Sequence, residues 1–206
     1  MSKKHHLHYV LVADNSGSMA GQIDEVRNEI NIQIQKLRNE TTEDTPCTFT
    51  LRTFDTSVRN VQVNTPIDKV PEITNKDYYP GGMTALFDAI GSTLDGIGTL
   101  VADKIDGDKE SLTMIIFSDG MENASQEYNA EKIKELLAKY QNRPGFEIAF
   151  IGCDPRSFSD MSKVQFHADK MMAYSKGNES VAFNRVYADV SDIRHKRKMG
   201  FDLKDD

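Results

Sequence analysis

The chain predicts an α/β fold built on an open, mostly parallel sheet, and three observations carry that expectation. Residues 7–13, 112–117 and 146–152 are continuous apolar runs of strand length, the pattern of strands buried on both faces. Between them lie stretches whose apolar residues recur every three or four positions, the stripe of an amphipathic helix. One pair of alternating segments, 48–54 and 58–63, is joined by only Asp55-Thr56-Ser57, which predicts a hairpin and one antiparallel edge strand. Strands alternating with helices pack as a Rossmann-like sheet with helices on both faces.

The elements follow in order. After the first strand, residues 21–40 place Ile23, Val26, Ile30, Ile34 and Leu37 on one helical face. Prolines and polar residues make 66–80 an irregular connection, with one helical turn at 67–70. Residues 84–104 read as a helix through Leu86, Ile90, Leu94, Ile97 and Val101. Gly91, Gly96 and Gly98 each cost that helix about 1 kcal/mol relative to Ala, which close packing on a sheet would justify. Residues 130–140 carry Ile133, Leu136, Leu137 and Tyr140 on one face, with Asn129 as N-cap. A short last strand is expected at 170–174, then a helix at 180–194 with Val186, Val190 and Ile193 inward. One domain over 1–198 and a frayed tail at 199–206 complete the reading.

Composition narrows the class. With 206 residues, 38% hydrophobic and 28% charged, the chain is long enough for one well-buried core. A net charge of −7 argues against a nucleic-acid partner, because phosphate binding needs a basic surface. The N-terminus is too short and His-interrupted for a signal peptide, and no segment reaches membrane-spanning length, so a cytoplasmic protein is expected. Cys47 and Cys153, separated by about half the chain, suit neither a disulfide framework nor a zinc site. His5, His6 and His8 are expected to face solvent or begin a strand rather than ligate. The basic run 194–198 suits a helix C-terminus, and Met171 and Met172 suit core filling. The pattern Asn123-Ala124-Ser125 matches a glycosylation acceptor, but with no export signal it carries no weight.

Three loops at expected carboxyl ends of strands hold oxygen-bearing side chains: Asp14, Ser16 and Ser18; Thr84 after Gly81-Gly82; and Asp119. Each alone is a turn or a helix cap. In open α/β sheets, however, ligand-bearing residues gather in that crevice, so residues a hundred apart in sequence can meet. Hard divalent ions want such oxygens, and Mg²⁺ takes six at roughly 2.0–2.1 Å while keeping some water. Gly17 leaves room for Ser16 and Ser18 to face the same way.

Asp14-Asn15-Ser16-Gly17-Ser18, Gly82-Met83-Thr84 and Phe117-Ser118-Asp119-Gly120 together resemble the metal-ion-dependent adhesion site of von Willebrand factor A domains. The likeness spans about residues 7–193. The phrases 79–86 and 118–125 are similar to the bacterial and phage-encoded branch. This resemblance implies that Ser16 and Ser18 bind Mg²⁺ directly, with Mn²⁺ or Ca²⁺ as alternatives. Thr84 binds directly or through water, and Asp14 and Asp119 mostly through water. A protein partner's Asp or Glu fills the open position. The implied strand order also separates Cys47 and Cys153 by two strands, roughly 14 Å, beyond disulfide reach.

A protein-binding module without catalytic residues is therefore the leading expectation. A metal-dependent phosphatase or hydrolase is the second, since Asp14 ends a strand as a haloacid-dehalogenase nucleophile does; that chemistry needs another Asp two residues on, where Ser16 stands. P-loop, dinucleotide and Gly-x-Ser-x-Gly motifs are absent. A structural or assembly protein, phage-encoded and with a constitutive metal, is the third.

Overall fold

The computed structural model describes residues 4–198. Six strands form one sheet in the order β3-β2-β1-β4-β5-β6. These are β1 (His6–Asp14), β2 (Cys47–Phe54), β3 (Val58–Pro66), β4 (Glu110–Ser118), β5 (Phe146–Gly152) and β6 (Met171–Ala173). All neighbours pair in parallel except β2 with β3, which is antiparallel at the edge. Registers of Leu11 with both Leu51 and Ile115 put the carboxyl ends of β1, β2 and β4 level.

Among the described residues five α-helices cover the faces: α1 (Ile23–Glu40), α2 (Leu86–Leu100), α3 (Ala130–Tyr140), α4 (Pro155–Lys163) and α5 (Glu179–Lys198). The alternation of side chains along a strand splits the core in two. Leu7, Tyr9 and Leu11 of β1 pack with Ile30 and Ile34 of α1 and Phe183 and Val186 of α5. Val10 and Val12 pack on the other face with Ile90 and Leu94 of α2, Leu137 of α3 and Met161 of α4. Among the described residues no helix is long and apolar enough to cross a membrane.

Several elements differ from the sequence expectation. A 3-10 turn at Gly17–Gly21 precedes α1, so the helix proper starts at Ile23. Helix α2 runs only from Leu86 to Leu100, because Val101 leaves helical geometry (φ −137°) before a 3-10 turn at Ala102–Lys104. Strand β3 extends to Pro66 through register shifts, with Asn64 at φ +46°. Helix α4 has no counterpart in the sequence expectation, although Asp154 caps it by accepting from the Arg156 amide and Pro155 occupies its first turn. The Asn129 cap of α3 is present, accepting from the Lys132 amide. Helix α5 continues to Lys198; the side chains of Val190 and 193–198, and the expected tail 199–206, lie outside the described residues.

The glycines of α2 also need correction. Gly91 accommodates not the sheet but Tyr128, whose ring would lie 2.1 Å from an added Cβ, and Gly98 accommodates the Tyr140 hydroxyl. Gly96 faces open space. Of the two alternatives for the histidines the strand holds: β1 begins at His6, and His5 and His8 are buried, at 2% and 5% exposure. His8 lies on the α2 side of β1, where its Nδ1 meets Thr48 Oγ1 and its Nε2 meets Glu110 Oε2, both at 2.9 Å. Met171 and Met172 are partly buried, one against each core.

Candidate metal-binding site

Strand β1 delivers Asp14 to the carboxyl edge of the sheet, fully buried. The chain then turns, and its backbone is tied on both sides: Asn15 N–H donates to Phe54 O at 2.8 Å, and Asp14 O accepts from the Tyr78 hydroxyl. The second loop docks on the first. Gly17 N–H donates to Gly82 O at 3.1 Å, Gly81 N–H to Asn15 O at 2.8 Å, and Asn15 Nδ2 to Tyr79 O at 2.6 Å. Gly82 adopts φ +62°, and a Cβ there would lie 2.6 Å from Thr56 Oγ1, so only glycine fits.

Neither hydroxyl loop is an ordinary helix cap. Ser16 precedes the 3-10 turn without a side-chain capping bond, and the N-cap of α2 is Ala85, not Thr84. The serine side chains turn instead toward the carboxylates. Ser16 Oγ and Ser18 Oγ lie 3.1 Å apart, and Ser18 donates to Asp119 Oδ1 at 2.6 Å. An added Cβ at Gly120 would lie 2.8 Å from Thr84 Oγ1 and 3.4 Å from Asp14 Oδ2, so these two oxygens flank the same glycine. The structure thus brings Asp14, Ser16, Ser18, Thr84 and Asp119 together from three loops. Asn123 braces the third of these against the second, its Oδ1 accepting from the Thr84 amide at 2.8 Å.

The two carboxylates are held differently. Asp14 accepts from the Ser16 amide at 2.7 Å and from the Ser118 hydroxyl. Burial nevertheless pushes its pKa up to about 6, against the pull of those hydrogen bonds. Among the described residues it has no ion-pair partner. Asp119, with its side chain wholly buried, accepts from Gln22 Nε2 at 2.7 Å and from Lys176 Nζ at 2.6 Å. Gln22 is in turn fixed by the Tyr174 hydroxyl, which donates to its Oε1 at 3.0 Å.

The donor set fits a hard divalent cation: every candidate ligand atom is oxygen, and a buried carboxylate without a counter-charge is stabilised by one. Ser18, Thr84 and Asp119 open onto a groove of about 530 Å³ that is bounded by Asp154, Arg156 and Lys176. Sequence reasoning missed Gln22, Tyr174 and Lys176, none of which belongs to a local motif. Ser118, the neighbour of Asp119 in sequence, gains its role only in the fold, where its hydroxyl donates to Asp14. Cys153 also borders the groove; neither it nor Cys47 is in a disulfide, and β1 and β4 stand between β2, which holds Cys47, and β5, which Cys153 follows.

No family model and no curated protein matches the chain. Solved structures do. Proximal thread matrix protein 1 from the mussel byssus is similar at 18% identity and TM-score 0.57, over 95% of this chain and 46% of that one. The PilB minor pilin of Streptococcus sanguinis is similar at 13% identity and TM-score 0.65, over 96% and 63%. This chain thus spans about half to two-thirds of those proteins' length. The vWF domain of the type V pili tip protein Mfa5 from Porphyromonas gingivalis is similar at 13% identity and TM-score 0.59, over 91% and 96%. The fold of this chain is that of von Willebrand factor A domains.

Proposed function

We propose that the chain is a divalent-cation-dependent protein-binding module that takes an acidic side chain of its partner at the carboxyl edge of the sheet. The observation that carries this reading is the meeting of Asp14, Ser16, Ser18, Thr84 and Asp119 around Gly120. Ser16, Ser18 and Thr84 would hold the ion with neutral oxygens, while Asp14 and Asp119 supply charge beneath it. Mg²⁺ is the proposed ion, with Mn²⁺ or Ca²⁺ able to replace it. Held in this way, the ion is a Lewis acid that still attracts an anionic oxygen. Lys176 at the groove's edge adds positive potential toward an incoming carboxylate.

The likeness to a minor pilin, a pilus tip domain and a byssal thread protein supports a role in protein contact. The same likeness favours a second reading, a structural or assembly protein with a constitutive metal. Size-exclusion chromatography with and without chelator separates the two: assembly lost with the metal supports the scaffold, and an unchanged monomer supports reversible capture. We assign no catalytic residue, and metal-dependent turnover of a generic phosphoester would overturn that.

Calorimetric titration with Mn²⁺ tests the site itself. One ion per chain is expected for the native sequence and none for Asp14→Ala. Equal binding by both proteins would end the assignment.

A further inference from the structure

A second cavity, sharing no residue with the candidate metal site, lies between α2 and the β2–β3 edge. Its origin is visible in the alternation of β2. Cys47, Phe49 and Leu51 point into the α1 core, whereas Thr48, Thr50 and Arg52 point to the α2 side, where the neighbouring strands bury Val10 and Leu112. Gly96 of α2 opposes them without a side chain, and an added Cβ there would meet nothing within 4 Å. The resulting space is about 210 Å³, with Val10, Ile97 and Leu112 among its walls. Leu100 and Val63 stand at its mouth, 55% and 46% exposed.

Arg52 stands out among the polar residues of the lining, which also include His8, Asn60 and Asn64. Its Nη1 donates to Thr93 Oγ1 at 3.0 Å, but its Nε is buried with no hydrogen-bond partner. Among the described residues no carboxylate pairs with it. Burial pulls the guanidinium below its ordinary range, yet an arginine stays protonated at neutral pH. Arg52 lines the cavity, and a partly buried guanidinium with no carboxylate partner among the described residues is stabilised when an anion joins it. The other hydroxyls are already engaged: Ser92 donates to Asp88 O, Thr93 to Ala89 O, and Thr50 accepts from the Asn64 amide.

We infer that this cavity binds a small organic monocarboxylate with an apolar body, its carboxylate on Arg52 and its body between α2 and the sheet. A guanidinium edge matches a planar carboxylate with two parallel hydrogen bonds. A single positive charge among apolar walls suits a monoanion better than a phosphate. The volume exceeds the roughly 150 Å³ of a dry apolar cavity that admits benzene, so one ring or a short alkyl chain fits.

Ligand-observed NMR titration of the full chain tests this, with benzoate and hexanoate as probes and benzyl alcohol and hexanol as neutral counterparts. Saturable binding of a carboxylate is expected, at least tenfold tighter than its alcohol. Arg52→Gln should weaken the carboxylate at least tenfold and leave the alcohol unchanged. Gly96→Leu should abolish binding of both while circular dichroism and Mn²⁺ binding stay native, which keeps the test decisive if Arg52→Gln does not fold. Absence of saturable carboxylate binding to the native chain, equal binding of acid and alcohol, or undiminished binding to Gly96→Leu would each overturn the inference.

Discussion

Ser18 donates its hydroxyl proton to Asp119 Oδ1 at 2.6 Å, joining the loop after β1 to the loop after β4 across 101 residues. Asp119 takes two further hydrogen bonds, from Gln22 and Lys176, so its orientation is set by two separate segments, the turn at 18–22 and Lys176. Asp14, on the same loop as Ser18, has hydrogen bonds but no cationic partner among the described residues. That asymmetry between the carboxylates shapes what metal addition and mutation should do.

Mg²⁺ or Mn²⁺ should raise the thermal midpoint, because an ion bound only by the folded state stabilises it by mass action. At a hundredfold excess over the dissociation constant the gain is about 2.7 kcal/mol, roughly 5–10 °C for a chain of this size. Asp14→Ala should remain folded and lose that shift. Differential scanning fluorimetry with EDTA as the blank measures it, and an equal shift in the variant contradicts the site.

Lys176→Met should strengthen divalent-ion binding. The ammonium lies 2.6 Å from Asp119 Oδ2 and repels a second cation at the same carboxylate, although its half-exposed side chain lets solvent screen much of the effect. An increase of about three- to tenfold in Mn²⁺ affinity is expected by calorimetry. A weaker-binding variant would mean that Lys176 organises the site rather than competing for it.

Two glycines of one helix should respond with opposite sign. Gly91→Ala drives a methyl into the Tyr128 ring and should cost about 1–3 kcal/mol by overpacking. Gly96→Ala meets open space and should gain up to about 1 kcal/mol from helix propensity. Urea denaturation of the two variants reads both.

Thiol titration under denaturing, non-reducing conditions should find two free thiols per chain. Cys47 sits on β2 and Cys153 just beyond β5, with β1 and β4 between. In the native protein Cys153 should react slowly, since burial raises its thiol pKa.

Asn129→Ala should cost about 1 kcal/mol, the usual worth of an N-cap side chain. The bond it removes is the one from the Lys132 amide to Asn129 Oδ1 at 3.0 Å. A loss of helicity limited to α3, followed by hydrogen exchange, would accompany it.

The local pattern of residues was enough for the alternation of strands and helices, the hairpin edge and the three oxygen-bearing loops. Burial on both faces leaves a continuous apolar run, and a helix face leaves a period, so those signals survive in one dimension. Helix α4 left a signal too, an Asp-Pro pair at 154–155, but its nine residues are too few for a clear stripe. What the order of residues does not contain is which loops touch. Gln22 and Lys176 reach Asp119, and Tyr174 reaches Gln22, only because β1, β4 and β6 end on one side of the sheet. The unpaired guanidinium of Arg52, the space opposite Gly96 and the burial of His8 likewise come from how helices lie on a twisted sheet. Contacts between distant segments depend on register and packing, and neither leaves a periodic trace in the chain.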